Sequence, residues 1–264
     1  MLNQETENHS VSDKKYLVPF ILITSLFFLW GFARAILDVL NKHFQNALHI
    51  SITQSALIQV TTYLGYFLMA IPAGIFINKY GYRRGVVFGL LLFGLGAVFF
   101  IPGALIGSFS AFLFCLFVIG CGLVFLETAA NPYVTELGAR ETATSRLNLS
   151  QSFNGLGSIF ATFCIGQFLF NDTQQGGNVV IPYAILGVLV LAIAVVFSRV
   201  DLPEIQHQQT TEDKAKGSNI AKLFANHRMF VFGLFALLSY EVAEISINSY
   251  FINFVTGMHW MSDR

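Results

Sequence analysis

Charge is what this chain has least of. Asp, Glu, Lys and Arg make up 11% of its 264 residues, against roughly a quarter in a soluble domain. A water-facing globule of this length needs polar surface on every side, so the shortfall excludes one. Neither sign is in excess. The 15 basic residues balance 15 acidic ones, which removes the electrostatic footprint that nucleic-acid binding demands. Cysteine is scarce too. Cys115, Cys121 and Cys164 are odd in number, lack metal-ligand spacing and lie inside apolar stretches, which excludes a disulfide scaffold and a thiolate metal site. The six histidines all avoid the centres of those stretches, so neither a haem site nor a histidine proton relay is expected.

What is present is apolar. Hydrophobic residues reach 55%, with 28 Phe and 22 Gly, and mean hydropathy is +0.63. Seven stretches, 17–40, 56–77, 85–106, 110–130, 147–170, 179–198 and 229–255, are each long enough for the roughly 17–25 residues that cross a bilayer as a helix. Nothing alternates with period two, which excludes a β-barrel. The first stretch is too long for the apolar core of a cleavable signal, and no small-residue cleavage site follows it. An all-α membrane protein is expected. Basic residues gather at Lys14 and Lys15, Lys79 to Arg84, Arg140 to Arg146 and Arg199 to Arg228, all on one side if the N-terminus is cytoplasmic. The opposite side holds only Lys42 and Arg264, so that orientation is predicted.

Six of the stretches form two tight groups of three. The expected organisation is a six-helix transmembrane bundle over 1–199, a cytoplasmic linker over 200–227 and, over 228–264, a seventh helix opening an incomplete second bundle. The first helix of each group carries acid: Asp38, then Glu127, then Glu241 and Glu244. Groups of three are how many secondary transporters are built, with first helices lining a central cavity. The symmetry is one of position, without a residue-by-residue repeat.

A carboxylate in hydrocarbon costs roughly 2.5–3.5 kcal/mol on insertion scales, so each of these acids calls for an explanation. Asp38 has Arg34 four residues earlier on the same helical face, and the two can form an internal salt bridge or leave Asp38 for chemistry. Glu127 has no basic residue within a helical turn. A buried carboxyl of that kind stays protonated until water or substrate arrives, as proton coupling requires. Asp38 lies about 30 Å from the cytoplasmic start of its helix and Glu127 about 10 Å from the inner end of its own, which points to sequential protonation. Glu241 and Glu244 share one helical face and form a second proton or cation site or are satisfied by other helices. Gln151 and Asn154, three residues apart, offer amides that both donate and accept, which suits sugar hydroxyls or plain interhelical bonding. Trp30 offers an apolar face to a sugar ring or simply packs.

Two segments carry a family resemblance. Gly74-Ile-Phe-Ile-Asn-Lys-Tyr-Gly-Tyr-Arg-Arg-Gly85 resembles the major facilitator loop motif, G-x-x-x-D-[RK]-x-G-[RK]-[RK], with Asn78 where the family usually has Asp. Leu126-Glu-Thr-Ala-Ala-Asn-Pro-Tyr133 and Arg146-Leu-Asn-Leu-Ser-Gln-Ser-Phe-Asn154 are more specific. With Phe27-Phe-Leu-Trp-Gly-Phe-Ala33 and Asp38-Val-Leu-Asn-Lys-His-Phe44, they resemble the fucose–galactose–glucose:proton symporter family, most of all its L-fucose permease branch. The resemblance implies a major facilitator fold and proton-coupled sugar uptake by alternating access. It makes Asp38 and Glu127 the proton-coupling acids, places Gln151 and Asn154 in the sugar cavity and gives Glu244 a family counterpart. Gly74, Asn78, Gly81, Arg83 and Arg84 become the loop that governs conformational change. Carriers of this kind have twelve helices, so a fragment ending after the seventh is expected. The full-length form would be a monomer in a bacterial inner membrane, with sugar and proton as its only ligands and no cofactor or metal.

The rival functions fare worse. A seven-helix receptor or retinal pump needs an external N-terminus, and the pump needs a Lys in the last helix. An enzyme needs a nucleophile–base pair or metal ligands. An exporter of drugs or other small molecules on the same fold, or a carrier for glucose, galactose or N-acetylglucosamine, remains as the alternative.

Overall fold

A backbone in hydrocarbon has no solvent to bond, so a long apolar run closes its own hydrogen bonds as a helix. The computed structural model follows that rule throughout the residues it describes, 14–48, 50–106, 108–170, 180–200 and 227–258. Among them every regular element is helical. In chain order they are α1 (Lys14–Leu48), α2 (Ile52–Tyr80), α3 (Tyr82–Val98), α4 (Phe100–Ile106), α5 (Phe109–Glu136), α6 (Ala143–Phe170), α7 (Val180–Arg199) and α8 (Arg228–Gly257), with a 3-10 turn at Arg140–Thr142 before α6.

The boundaries have local causes. Ser51 opens α2 with a capping box: its hydroxyl accepts from the Gln54 amide at 3.1 Å, and the Gln54 side chain accepts from the Ser51 amide at 2.9 Å. Gly81 alone separates α2 from α3, at φ 89°, a conformation that a side chain disfavours. The third apolar stretch, expected as one helix over 85–106, is two. Pro102 lacks an N–H and crowds the carbonyl of Val98 four residues back, and the helix breaks at Phe99 between α3 and α4.

Five of the described helices are long and apolar enough to cross a membrane, and α7 adds a shorter apolar run, Tyr183–Arg199. The first half of α6 carries Asn148, Ser150, Gln151, Ser152 and Asn154, a polar run at the start of an apolar helix. Large apolar side chains such as Phe67, Ile71, Ile159 and Phe163 stand exposed, as lipid-facing residues do and water-facing ones do not. The chain is a multi-pass membrane protein.

The helices divide into two compact units, α1 to α7 and α8. Most of the expected linker, residues 201–226, lies outside the described residues. Within the first unit α1 crosses α6, α2 crosses α5, and α3 packs on both α5 and α7. Phe27, Phe93, Phe100, Phe125 and Tyr133 fill the space between them.

Two of these crossings share one construction. A Cβ on Gly31 of α1 would strike the Asn154 carbonyl of α6, and one on Gly157 would strike the Phe28 carbonyl of α1. At the other crossing a Cβ on Gly65 of α2 would meet the Phe117 carbonyl of α5 at 2.7 Å, and one on Gly120 would strike the Thr62 carbonyl. In all four cases the glycine faces the carbonyl three residues before the partner glycine. Such small-residue contacts let helix backbones touch. The α3–α7 contact also uses glycines, but against side chains: a Cβ on Gly94 would strike Leu191, and one on Gly187 would meet Val98. Under exchange of the two groups of three, α1·α6 becomes α5·α2, and the four glycine contacts of these two crossings obey that exchange.

Candidate functional site

The crossings supply a register that the apolar pattern alone does not. Gly31 and Gly120 are 89 residues apart, as are Asp38 and Glu127. Gly65 and Gly157 are 92 apart, as are Gln59 and Gln151, and Thr62 and Asn154. The expectation of a purely positional symmetry is therefore corrected. The acids of the first two groups stand at the same sequence offset as the glycines of the crossings, and so do two glutamines.

Glu127, half-buried on α5, lines a crevice with Leu26, Phe27 and Trp30 of α1 and with Leu126, Ala130 and Asn131 of its own helix. Its free volume of about 10 Å³ is close to that of one water. Asn131 follows Glu127 by four residues and so lies on the same face. From α6, the exposed Gln151 donates through Nε2 to Asn131 Oδ1 at 3.4 Å. Trp30 Nε1 donates to the Tyr66 hydroxyl of α2 at 3.1 Å, and the indole meets Phe27 edge-on at 6.3 Å. The Tyr66 hydroxyl lies within electrostatic reach of both Glu127 and Arg34. Arg34, which sequence places beside Asp38, thus also acts on the Tyr66 hydroxyl.

Asn154 sits where α1 and α6 touch. Its Nδ2 is buried and has no hydrogen-bond partner among the described residues, an arrangement that costs about 1–3 kcal/mol unless something accepts the bond. Around it the seam is otherwise satisfied. Ser158 Oγ donates to the Gly31 carbonyl at 3.0 Å, and Thr24 and Ser150 share a buried hydroxyl–hydroxyl bond at 3.1 Å. The fold therefore brings together Trp30, Glu127, Gln151 and Asn154 along one wall. Asp38 lies in α1, but its side chain is outside the described residues. Glu241 and Glu244, both half-buried in α8, belong to the second unit and are three residues apart on one face. No group of three or more His, Cys, Asp or Glu among the described residues could hold a metal.

At the α2–α3 loop, Arg83 donates from Nε to the Phe197 carbonyl at 3.4 Å and from Nη2 to the Ser198 carbonyl. A cation at the end of α7 also meets the negative end of its dipole. Arg84 lines an open groove of about 500 Å³ with Phe76, Phe88 and Ser198, and Asn78 is exposed. Gly81 is required by its backbone conformation. A Cβ on Gly74 would meet nothing within 4 Å, so no packing demand fixes that glycine.

Three residues escape sequence reasoning. Asn131 had a signal, its spacing of four from Glu127. Tyr66 had none, because its partners come from other helices. Arg146 is buried and donates to the carbonyls of Val134 at 3.1 Å, Thr135 at 2.8 Å and Ala139 at 2.8 Å, pinning the corner between α5 and α6. In the sequence it entered only the positive-inside count and the family-resemblance segment, neither of which points to this clasp.

The sequence profile of the Major Facilitator Superfamily matches residues 23–262. The chain is 34% identical to a glucose/galactose transporter of Brucella abortus over 96% of its own length and 62% of that protein's. It is 36% identical to an L-fucose-proton symporter of Escherichia coli K12 over 95% of this chain and 64% of that one. The crystal structure of the E. coli fucose:proton symporter in the outward conformation superposes with a TM-score of 0.73 at 35% identity, covering 91% of this chain and 63% of that one. The chain thus spans a little over three-fifths of the length of these relatives.

Proposed function

Because the chain belongs to the Major Facilitator Superfamily, we propose that it carries out proton-coupled sugar uptake, with L-fucose as the leading substrate. The observation that carries this reading is the wall on which Gln151, Asn131, Glu127 and Trp30 stand together, with the buried Asn154 amide beside it lacking an acceptor among the described residues. A sugar hydroxyl would complete that amide, the exposed Gln151 would take another, and the Trp30 face would cover the apolar side of the ring. Named relatives that transport L-fucose or glucose and galactose support the substrate class.

In this reading Glu127 and Asp38 bind protons in sequence. Protonation neutralises them, which lowers the cost of turning the loaded carrier through a dry state. The two halves of a full-length carrier rock about a site near the midplane. One proton falling through 100 mV supplies about 2.3 kcal/mol, about a fifty-fold concentration ratio. Glu241 and Glu244 are assigned to a second proton or cation site, and the loop from Gly74 to Arg84 to conformational control. The N-terminus is cytoplasmic, in a bacterial inner membrane, and the protein is a monomeric carrier rather than an enzyme.

The test is uptake of radiolabelled L-fucose under an inward proton gradient, in vesicles carrying this chain alone and together with the second half of the E. coli symporter. Accumulation that L-fucose competes better than galactose, glucose or N-acetylglucosamine is the expected result. Proton-driven expulsion of a dye with no sugar accumulation would favour an exporter instead.

A further inference from the structure

Two cations, Arg83 and Arg84, stand in the first turn of α3, and that turn holds no acid. The amino end of a helix is the positive pole of its dipole and exposes amide donors, so it repels cations and attracts an anion. Arg83 reaches instead to the carbonyl end of α7, where Phe197 and Ser198 accept from its guanidinium. Arg84 has no such outlet. It is exposed, and no side chain or carbonyl among the described residues pairs with it. Arg84, Phe88 and Leu91 share one face of α3 and line, with Phe76 of α2 and Ser198 of α7, the open groove of about 500 Å³. Its polar end is the α2–α3 corner. Leu91 lies about 10 Å farther along the helix axis than Arg84, inside the apolar span Tyr82–Gly103. Phe88 and Leu91 are both exposed, and Leu95 continues the exposed stripe into the lipid-facing surface. The headgroup layer of one leaflet is roughly 5–8 Å thick, so the groove runs from headgroup depth to the acyl chains.

We propose that this groove binds one anionic phospholipid, its phosphodiester paired with Arg84 and an acyl chain laid along Phe88 and Leu91. The planar guanidinium matches two phosphate oxygens with a pair of hydrogen bonds. The same anion meets the amino end of α3 and offsets the repulsion between that end and its two cations. A free phosphate would use the arginine and leave the apolar walls uncovered. A zwitterionic lipid would cover the walls but bring its own cation to Arg84. A lipid with net negative charge satisfies both ends. Basic pockets between transmembrane helices hold such headgroups on the cytoplasmic side, which is where the proposed orientation puts this end of α3. Binding itself depends neither on that orientation nor on the sugar-carrier reading.

The test is native mass spectrometry of the detergent-purified chain, alone and together with the second half of the E. coli symporter, titrated with phosphatidylglycerol or with phosphatidylcholine of the same acyl chains. One phosphatidylglycerol should be retained at least about tenfold more tightly than phosphatidylcholine, as one charge-assisted hydrogen-bond pair allows. Arg84→Gln should abolish that preference, and Arg84→Lys should keep part of it. Arg140→Gln, which removes an exposed arginine outside the groove, should leave the preference unchanged. Leu91→Ala should weaken both lipids alike, about fourfold, the effect of one methylene. Loss of the preference in Arg140→Gln to the same degree as in Arg84→Gln would reduce the effect to general surface charge and overturn the site. Displacement of the lipid by millimolar inorganic phosphate would show that the acyl chain takes no part, which also refutes the proposal. So would a preference that vanishes once the second half is present, because that half would then be what covers the groove.

Discussion

The α1·α6 and α2·α5 crossings use the same glycine-to-carbonyl geometry and carry different chemistry. At α1·α6 the seam holds the Thr24–Ser150 bond, the Ser158–Gly31 bond and the Asn154 amide, which has no partner among the described residues. The register counterparts of Thr24 and Ser150 in the other crossing are Leu113 and Ile58, and Ile58 is fully buried. Close packing is therefore duplicated, while the cross-helix hydroxyl bonds Thr24–Ser150 and Ser158–Gly31 belong to one copy. Glycine spacing fixes where helices touch, and the residues one turn away are left free to differ.

Breaking the shared geometry should have the largest effect. Gly31→Val and Gly120→Val each place a side chain against a backbone carbonyl and should lower stability by about 3 kcal/mol, alike, as read from unfolding midpoints in detergent. A loss at only one of them would show that the crossings are not equivalent. Arg146→Ala, at the corner joining the two, leaves the carbonyls of Val134, Thr135 and Ala139 without their donor and should cost about 2 kcal/mol. Thr24→Val strands the Ser150 hydroxyl and should cost about 1 kcal/mol. The double change Thr24→Leu with Ser150→Ile, which copies the other crossing, should recover most of that loss. The smallest effect belongs to Gly74→Ala. With nothing within 4 Å of the new methyl, it should raise stability by about 0.5 kcal/mol through helix propensity alone.

Much of this architecture is legible in the residue string, for identifiable reasons. Seven apolar stretches locate the helices because hydrocarbon permits no other pattern. The acids stand out because charge is otherwise missing from the spans. The Pro102 break is legible only if the proline is given more weight than the apolar run around it. The Trp30–Tyr66 bond, the reach of Arg34 to Tyr66 and the Arg146 clasp join residues of different elements or across a turn, and no spacing rule reaches them. The internal repeat lies between. Gly31 with Asp38, and Gly120 with Glu127, can be counted off the sequence. Among 22 glycines, however, only the touching backbones show which four set the register.

The account turns on Glu127 as a proton-coupling acid beside a sugar wall. The most direct measurement compares proton-driven accumulation of L-fucose with gradient-free sugar exchange for Glu127→Gln, in vesicles carrying this chain with the second half of the E. coli symporter. The amide keeps the shape and polarity of the side chain but cannot release a proton. Accumulation should be lost while exchange survives. Accumulation at the level of the parent would contradict the coupling role of Glu127.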